Sequence, residues 1–431
     1  MINQLKLRFS GFDDEWNINK LNEISTLTSS KRIYSSDYVE TGIPFYRGAE
    51  ITQLKNNEEI KEKLFISTEK YNELKNKFGA PKKDDILVTG VGTLGNVYKI
   101  RDNAEFYFKD GNLIWIKDIT INPDFLELYL ETFKNEMLKL AIGSTQKALT
   151  IVSLEKLKVK YPNIQEQRKI ANFFEVLDNK IRLLSKKYNY YIDFKKYLMQ
   201  QIFALKLRFK DDNNENFDDW KERKLSEFLT EHKLKSTGKE EVYSVSVHKG
   251  LVNQVEHLGR AFSAPDTSKY NLVKPGDIVY TKSPTGDFPL GIIKQSRVDK
   301  NVIVSPLYGV FTPETYDLGY ILNDYFESNV NTHNYLHPIV QKGAKNTMNI
   351  TNKTFLSKSL FVPTDKEEQH KIAGCLMKFN ENITLIEMQK NQVEDFKHGL
   401  LQQMFVYIFI LMHTILNFCA KICCIKYFLK S

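Results

Sequence analysis

The segment from Pro162 to Phe203, PNIQEQRKIANFFEVLDNKIRLLSKKYNYYIDFKKYLMQQIF, returns from Pro363 to Phe405 as PTDKEEQHKIAGCLMKFNENITLIEMQKNQVEDFKHGLLQQMF. Gln167 maps to Gln369, Ile170 to Ile372, Asp193 to Asp395 and Gln201 to Gln403, each 202 residues on (369 − 167 = 202). A register that never slips excludes an insertion inside either copy. The chain is internally duplicated, and the duplicated segment has a fixed length, as a ruler does.

Its periodicity predicts a long helix. Apolar residues at Ile170, Phe173, Leu177, Ile181, Leu184, Tyr188, Tyr191, Phe194, Leu198 and Ile202 alternate steps of three and four. The second copy repeats the stripe with Ile372, Leu376, Phe379, Ile383, Ile386, Val393, Phe396, Leu400 and Met404. Pro162 and Pro363 stand just upstream, where a proline interrupts no helical hydrogen bond. One narrow seam on an otherwise polar helix is most simply buried against the other copy's seam. An uninterrupted helix from Gln165 to Phe203 would be about 60 Å long at about 1.5 Å per residue.

The duplication reaches beyond the helices. LKLRF at Leu5–Phe9 recurs at Leu205–Phe209, and FDDEW at Phe12–Trp16 is answered by FDDW at Phe217–Trp220. The order of segments could therefore be closed head to tail, which suggests a pseudo-two-fold arrangement. Two globules, roughly Asp14 to Tyr161 and Asp218 to Val362, lie between these landmarks. KKDDILVTG at Lys82–Gly90 answers KPGDIVYTK at Lys274–Lys282, but with a shift of 192 (277 − 85), whereas Gly143 maps to Gly343 with a shift of 200. Loops within the globules have changed while the helices have not. Short β-branched and aromatic runs such as DILVTG, NLIWI and VIVSPLYGVF predict a strand-rich sheet in each globule. A helix is predicted from Asn122 to Ala141, with Asn122 as cap and Pro123 in its first turn. The expected class is α+β.

The 431 residues are 42% hydrophobic, a soluble composition with length for two or three domains. A formal charge of +8 permits nucleic-acid binding without requiring it. Cys375 is the sole cysteine before Cys419, which fits a reducing compartment, and no secretory signal pattern opens the sequence.

A duplicated globule closed by a G-S-T-Q-K-like turn, a strand, a proline, an E-Q-(R/H)-K-I-A helix start and an end in L-x-Q-Q-x-F resembles the specificity subunit of type I restriction-modification enzymes. The likeness runs from residue 5 to about residue 406. It implies a non-catalytic, cytoplasmic, DNA-reading subunit without a cofactor. In that family two target recognition domains each read half of a split sequence on double-stranded DNA. The paired conserved spacer helices form an antiparallel coiled coil, set the gap and dock two methyltransferase subunits, with restriction subunits joining from outside. The corresponding divisions here are 1–161 for the N-terminal segment and first target recognition domain, 162–209 for the central helix, 210–362 for the second domain, 363–406 for the distal helix, and 407–431 for an atypical apolar tail. Diverged loops imply different half-sites, hence an asymmetric target.

Candidate DNA contacts are cationic and amide side chains near turns: Lys31, Arg32, Arg47, Thr93, Gln146 and Lys147 in the first globule, and Lys249, Arg260, Lys282, Lys342, Lys345 and Asn346 in the second. Arg and Lys take guanine edges, Asn and Gln adenine edges, and most contacts go to phosphates. Arg47, in the apolar setting IPFYRG, stands out.

Two other classes compete. GVGTLG at Gly90–Gly95 satisfies GxGxxG after a strand, as a nucleotide-dependent enzyme would need, but strand-like NVYKI follows where a phosphate site needs a helix, so a tight turn is the expectation. NPDF at Asn122 lacks the second proline of an adenine-methyltransferase loop, and no GxxxxGK(S/T) is present. The tail suggests a membrane-associated coiled-coil adaptor, yet its apolar run from Val406 to Ala420 falls short of the roughly 20 residues a span needs. His413, Cys419, Cys423 and Cys424 match no standard zinc spacing, so no metal is expected, and the tail reads as a read-through or frame-shifted extension.

Overall fold

The computed structural model describes residues 7–56, 58–143, 147–255, 266–342 and 348–405. Two helices of 40 residues each, Ile164–Phe203 and Lys366–Phe405, keep the 202-residue offset at both ends. Each starts at a side-chain cap. The Asn163 Oδ1 accepts from the Glu166 N–H at 3.0 Å, and the Asp365 Oδ1 accepts from the Glu367 and Glu368 N–H groups at 2.8 and 3.1 Å. Contacts divide the chain into one unit of residues 1–183 and 390–431 and another of residues 184–389, so each long helix gives one half to each unit.

The first unit is built on an antiparallel four-stranded sheet in the order Thr26–Thr28, Leu113–Lys117, Ile86–Thr89, Val97–Lys99. Its strands read as continuous apolar runs because both faces are covered. Ile86, Val88, Ile114 and Ile116 face a core shared with Phe125 and Leu126 of the helix Pro123–Thr132 and with Ile170 and Phe174 of the first long helix. The alternate residues Leu87, Leu113 and Trp115 pack with Ile51 and Phe108, toward a second four-stranded sheet. A strand at Asn17–Lys20 pairs antiparallel with Lys158–Tyr161 and closes the globule just before the long helix. Met404 and Phe405, the end of the second long helix, complete this same core, with the Phe405 ring 5.8 Å from Trp16 and 5.7 Å from Phe125. Farther along, the Lys397 Nζ meets the Asp178 carboxylate at 2.5 Å, which fixes an antiparallel pairing of the two helix halves in this unit.

The single helix expected from Asn122 to Ala141 is two, Pro123–Thr132 and Lys134–Lys139. Asn122 caps it as expected, its Oδ1 accepting from the Phe125 N–H at 2.9 Å. The break falls at Phe133 (φ −95°, ψ 26°), whose ring stacks on Tyr129 at 4.4 Å, one residue after Thr132 donates its hydroxyl to the Leu128 carbonyl.

The second unit repeats the sheet order with Leu229–Glu231, Gly309–Pro313, Ile278–Tyr280 and Ile293–Gln295, and closes with Lys221–Lys224 against Ser359–Val362. The helix Tyr316–Phe326 takes the place of Pro123–Thr132. Leu198 and Ile202 of the first long helix pack with Ile372 and Leu376 of the second, and the Phe194 ring lies 5.4 Å from Phe379, again antiparallel. Here the far face of the sheet meets small two-stranded ribbons, Tyr243–Ser246 with Gly250–Asn253 and Asn271–Val273 with Val302–Val304, and the globules diverge in this layer. In the first helix the seam is buried at Ile170, Leu198 and Ile202, half-buried from Phe173 to Tyr191 and exposed at Phe194; in the second, mid-helix Ile383 and Ile386 are buried as well as Ile372, Leu376 and Met404, and Phe174 and Met199, outside the predicted stripe, are buried too.

Candidate nucleic-acid interface

GVGTLG is the turn of a β-hairpin. The Thr89 N–H bonds the Asn96 carbonyl at 3.0 Å, and Gly92 and Gly95 take φ of +79° and +71° to reverse the chain. A strand follows it, Val97–Lys99, where the Rossmann pattern needs a helix running on from the glycines, so GVGTLG is not the strand-to-helix turn of a dinucleotide site. The same hairpin in the second unit, where the Thr281 N–H bonds the Ile292 carbonyl at 3.0 Å, carries KSPTGDFPLG and no such glycine pattern.

Antiparallel connectivity gathers the candidates of the first unit at one end of its sheet. Gly90 bonds both the Asn112 carbonyl (2.8 Å) and the Leu149 N–H (2.9 Å), so the turn at 110–112 and the segment 147–149 flank the hairpin. A Cβ on Gly90 would sit 2.8 Å from the Leu149 carbonyl oxygen, which is why glycine is needed there. Thr93 lies in the hairpin with its hydroxyl 3.4 Å from that of Thr52, and the exposed Lys147 lies two residues before Leu149. Lys31 and Arg32 leave the neighbouring strand: the Lys31 amine sits 4.6 Å from the centre of the Phe78 ring, and the exposed Arg32 donates to Asp110 at 3.0 Å. Arg47 precedes the helix Gly48–Lys55, which contains Thr52. Its guanidinium is engaged: Nη2 bonds the buried Glu50 carboxylate at 2.5 Å, and the Arg47 N–H bonds it at 2.8 Å. Burial works to raise the Glu50 carboxyl, but Arg47 outweighs it and holds it below its ordinary value. Gln146 lies outside the described residues.

The equivalent end of the second unit holds a cavity of about 220 Å³. Lys282 of the hairpin turn lines it together with His232, Lys233, Lys235, Asn271 and Asn352, five residues the sequence reading did not select. One signal could have found the first three: they follow Leu229–Glu231 as Ser29–Arg32 follow Thr26–Thr28. Lys249 sits elsewhere, on the Tyr243–Asn253 ribbon, lining a cavity of about 240 Å³ with Lys294, Arg297 and Glu327. Lys342 belongs to a short ribbon strand, Gln341–Lys342, but its side chain, like Arg260, Lys345 and Asn346, lies outside what is described.

The E-Q motif at each helix start is a fastener. Glu166, fully buried, takes a two-pronged bond from Arg8 (2.8 and 2.7 Å), and Glu368 takes the same from Arg208 (both 3.0 Å). Gln167 donates to the Pro162 carbonyl at 2.8 Å and accepts from the Asn122 N–H at 2.8 Å. Gln369 donates to the Pro363 carbonyl at 2.9 Å and accepts from the Thr315 hydroxyl at 2.6 Å. In both units, then, one amide ties the long helix to the N-cap of the globule's main helix. The second unit adds a buried network in which Lys195 bonds Asp324 (2.9 Å) and Glu327 (2.8 Å), Lys294 bonds Glu327 (3.0 Å) and Arg297 bonds Asp324 (3.2 Å).

Among the described residues no His, Cys, Asp and Glu group is placed to hold a metal, and no helix is long and apolar enough to cross a membrane. The tail run from Val406 and its cysteines lie outside them.

Comparison with known proteins points one way. A family model of the type I restriction modification DNA specificity domain matches residues 13–190. A protein of Haemophilus influenzae named as a type I restriction enzyme specificity subunit is 33% identical over 193 residues, 41% of this chain and 47% of the relative. A type I restriction enzyme specificity subunit of Methanocaldococcus jannaschii is 27% identical over 213 residues, 46% of this chain and 48% of the relative. The chain thus spans about half the length of the curated relatives it matches. Over 94% of its length its fold matches the crystal structure of the type I restriction-modification S subunit from M. genitalium (all of that chain, TM-score 0.59, 15% identity). It also matches, over 91%, a chain from a structural study of complex assembly and conformational transition in the type I system (98% of that chain, TM-score 0.50, 13% identity). Residues 13–190 are thus similar to the type I restriction modification DNA specificity domain, and over most of its length the chain shares the fold of the S subunit from M. genitalium.

Proposed function

We propose that the chain is the DNA sequence-recognition subunit of a type I restriction-modification complex. Each globule reads one half of a bipartite target. The long helices fix the gap between the halves and seat two methyltransferase subunits, and restriction subunits join from outside. The chain itself is non-catalytic and cytoplasmic, with methyl transfer, translocation and cleavage supplied by its partners. One observation carries this reading: each unit presents the same end of the same sheet, fastened by the same Glu–Arg and Gln contacts to a helix of the same length. The loops at that end differ, GVGTLG against KSPTGDFPLG, which favours unlike half-sites and an asymmetric target.

The test is methylation-motif mapping in cells expressing the chain with its methyltransferase. The wild type should give a split motif methylated on adenine. Four residues inserted near Lys186 add roughly 6 Å of helix and keep the seam nearly in phase. Base pairs rise about 3.4 Å each, so the gap should grow by one or two base pairs with the half-sites unchanged. A two-residue insertion turns the seam by about 200° and should abolish activity. An active four-residue variant with an unaltered gap would refute the ruler.

A further inference from the structure

We propose that the cavity at the loop end of the second globule is a base-reading subsite, in which the Lys282 amine takes the acceptor edge, O6 and N7, of a guanine in one half-site. The inference rests on the chain being a DNA sequence-recognition subunit and goes further by separating a base contact from a phosphate contact.

Backbone geometry is the first support. Lys233 and Lys282 have φ of +56° and +53°, and both line this one cavity. A left-handed conformation is strained for a side-chain-bearing residue, and lysine has no short polar group to offset it. Such strain persists where the surroundings over-determine it, and it concentrates at ligand sites. The surroundings here are tight. Gly291, at φ +97°, returns the hairpin so closely that a Cβ on it would lie 2.9 Å from the Tyr280 ring and 3.1 Å from the Lys282 nitrogen.

The second support is an unanswered charge. Lys235 is occupied, its amine donating to Asn271 Oδ1 at 2.6 Å and to the Lys269 carbonyl at 3.2 Å. Lys282 has no hydrogen-bond or ion-pair partner among the described residues, and the nearby Glu231 carboxylate is taken by the Asn352 amide at 2.8 Å. Burial pushes the Lys282 amine below its ordinary pKa. Asn352 Oδ1, in the same wall, is also buried without a donor among the described residues. A half-buried amine facing a cavity calls for an acceptor that enters it, and a lysine satisfies guanine O6 and N7 well. Phosphates, by contrast, are met by exposed cations such as Arg32 and Lys147 at the first unit's equivalent end.

Motif mapping and DNA binding with the full chain and its methyltransferase test the subsite. Lys282→Met should turn one guanine position in one half-site into any base, with discrimination there reduced on the order of ten- to a hundredfold and the other half unchanged. Lys282→Arg should keep the guanine. Lys282→Gly guards against misfolding: glycine adopts φ +53° without strain, so this variant folds at least as well and should still lose the guanine. Two results overturn the subsite: an unaltered motif in Lys282→Met and Lys282→Gly, or binding weakened equally for all sequences with a shallower salt dependence, the signature of a phosphate contact. A wild type with no split motif would instead bring down the recognition reading itself, and the subsite with it.

Discussion

Trp16 and Trp220 open equivalent globules and differ by one hydrogen bond. The Trp220 indole N–H donates to the buried Glu368 carboxylate at 3.0 Å, whereas the Trp16 N–H is buried with no acceptor among the described residues. Replacing each by phenylalanine removes the same part of the ring, so the packing loss largely cancels between the two variants. What remains is polar. Trp220→Phe gives up a hydrogen bond to a charged group, about 1.5–3 kcal/mol, and leaves Glu368 to Arg208 alone. Trp16→Phe removes an unsatisfied donor, which relieves about 1–3 kcal/mol and offsets its packing loss. Trp220→Phe should therefore cost about 2.5–6 kcal/mol more than Trp16→Phe, each judged in its own unit. Amide hydrogen exchange read by mass spectrometry on the full chain is the right assay, since peptides from residues 17–161 and 221–362 report each globule separately where a melting curve merges them. Exchange in the second globule should accelerate by more than tenfold in Trp220→Phe, while the first stays near wild type in Trp16→Phe. Equal losses in the two variants would refute the argument, because they would mean the Trp16 N–H has a partner or the Glu368 bond contributes nothing.

Arg47→Ala should relax sequence choice in one half-site only, by roughly 1–3 kcal/mol in recognition; because it also strands the buried Glu50 carboxylate, the mapped motif rather than the affinity is the readout, and equal relaxation of both halves would sink independent reading. A stop after Val406 should leave assembly with the methyltransferase intact, whereas a stop after Leu401 removes Met404 and Phe405 from the first core and should cost about 3–5 kcal/mol or more, seen as loss of co-purification. Burial works to raise the Glu327 carboxyl, but Lys195 and Lys294 outweigh it and bring it down to about 2. Its folded value lies below the unfolded one, so its contribution is complete above roughly pH 4.5 and fades as pH falls toward 2. The gap in denaturation midpoint between wild type and Glu327→Gln should close over that range, and a constant gap would contradict the assignment.

Much of the fold was legible because the duplication calibrated it. The constant shift of 202 required two helices of one length, and both run 40 residues. The match of DILVTG to DIVYTK predicted a strand in each globule, and Ile86–Thr89 and Ile278–Tyr280 are strands; the Asn122 cap followed from local chemistry. What escaped depends on tertiary geometry. Phe133 breaks a helix that propensity would continue, by taking φ −95° and ψ 26°, and no residue type in the sequence marks the break. Arg47 looked unpartnered in sequence, since its carboxylate is three residues away and the turn that brings Glu50 back is set by the helix start. Lys233 and Asn352 are ordinary polar residues in the sequence; only the fold puts them on one cavity with Lys282.

The core of the first unit, completed by Met404 and Phe405, has a consequence for the order of synthesis. A ribosome makes residues 17–161 first, and domains tend to fold as they emerge. Residues 184–389 form a continuous stretch, so the second unit has all of its own chain once residue 389 is out. The first does not: Trp16, Phe125 and Tyr129 must wait for Phe405, and through most of translation they present an unfilled aromatic socket. The globule that is begun first is thus finished last. Nascent chains stalled anywhere between the two long helices should hold a sticky first globule, the natural substrate for a chaperone.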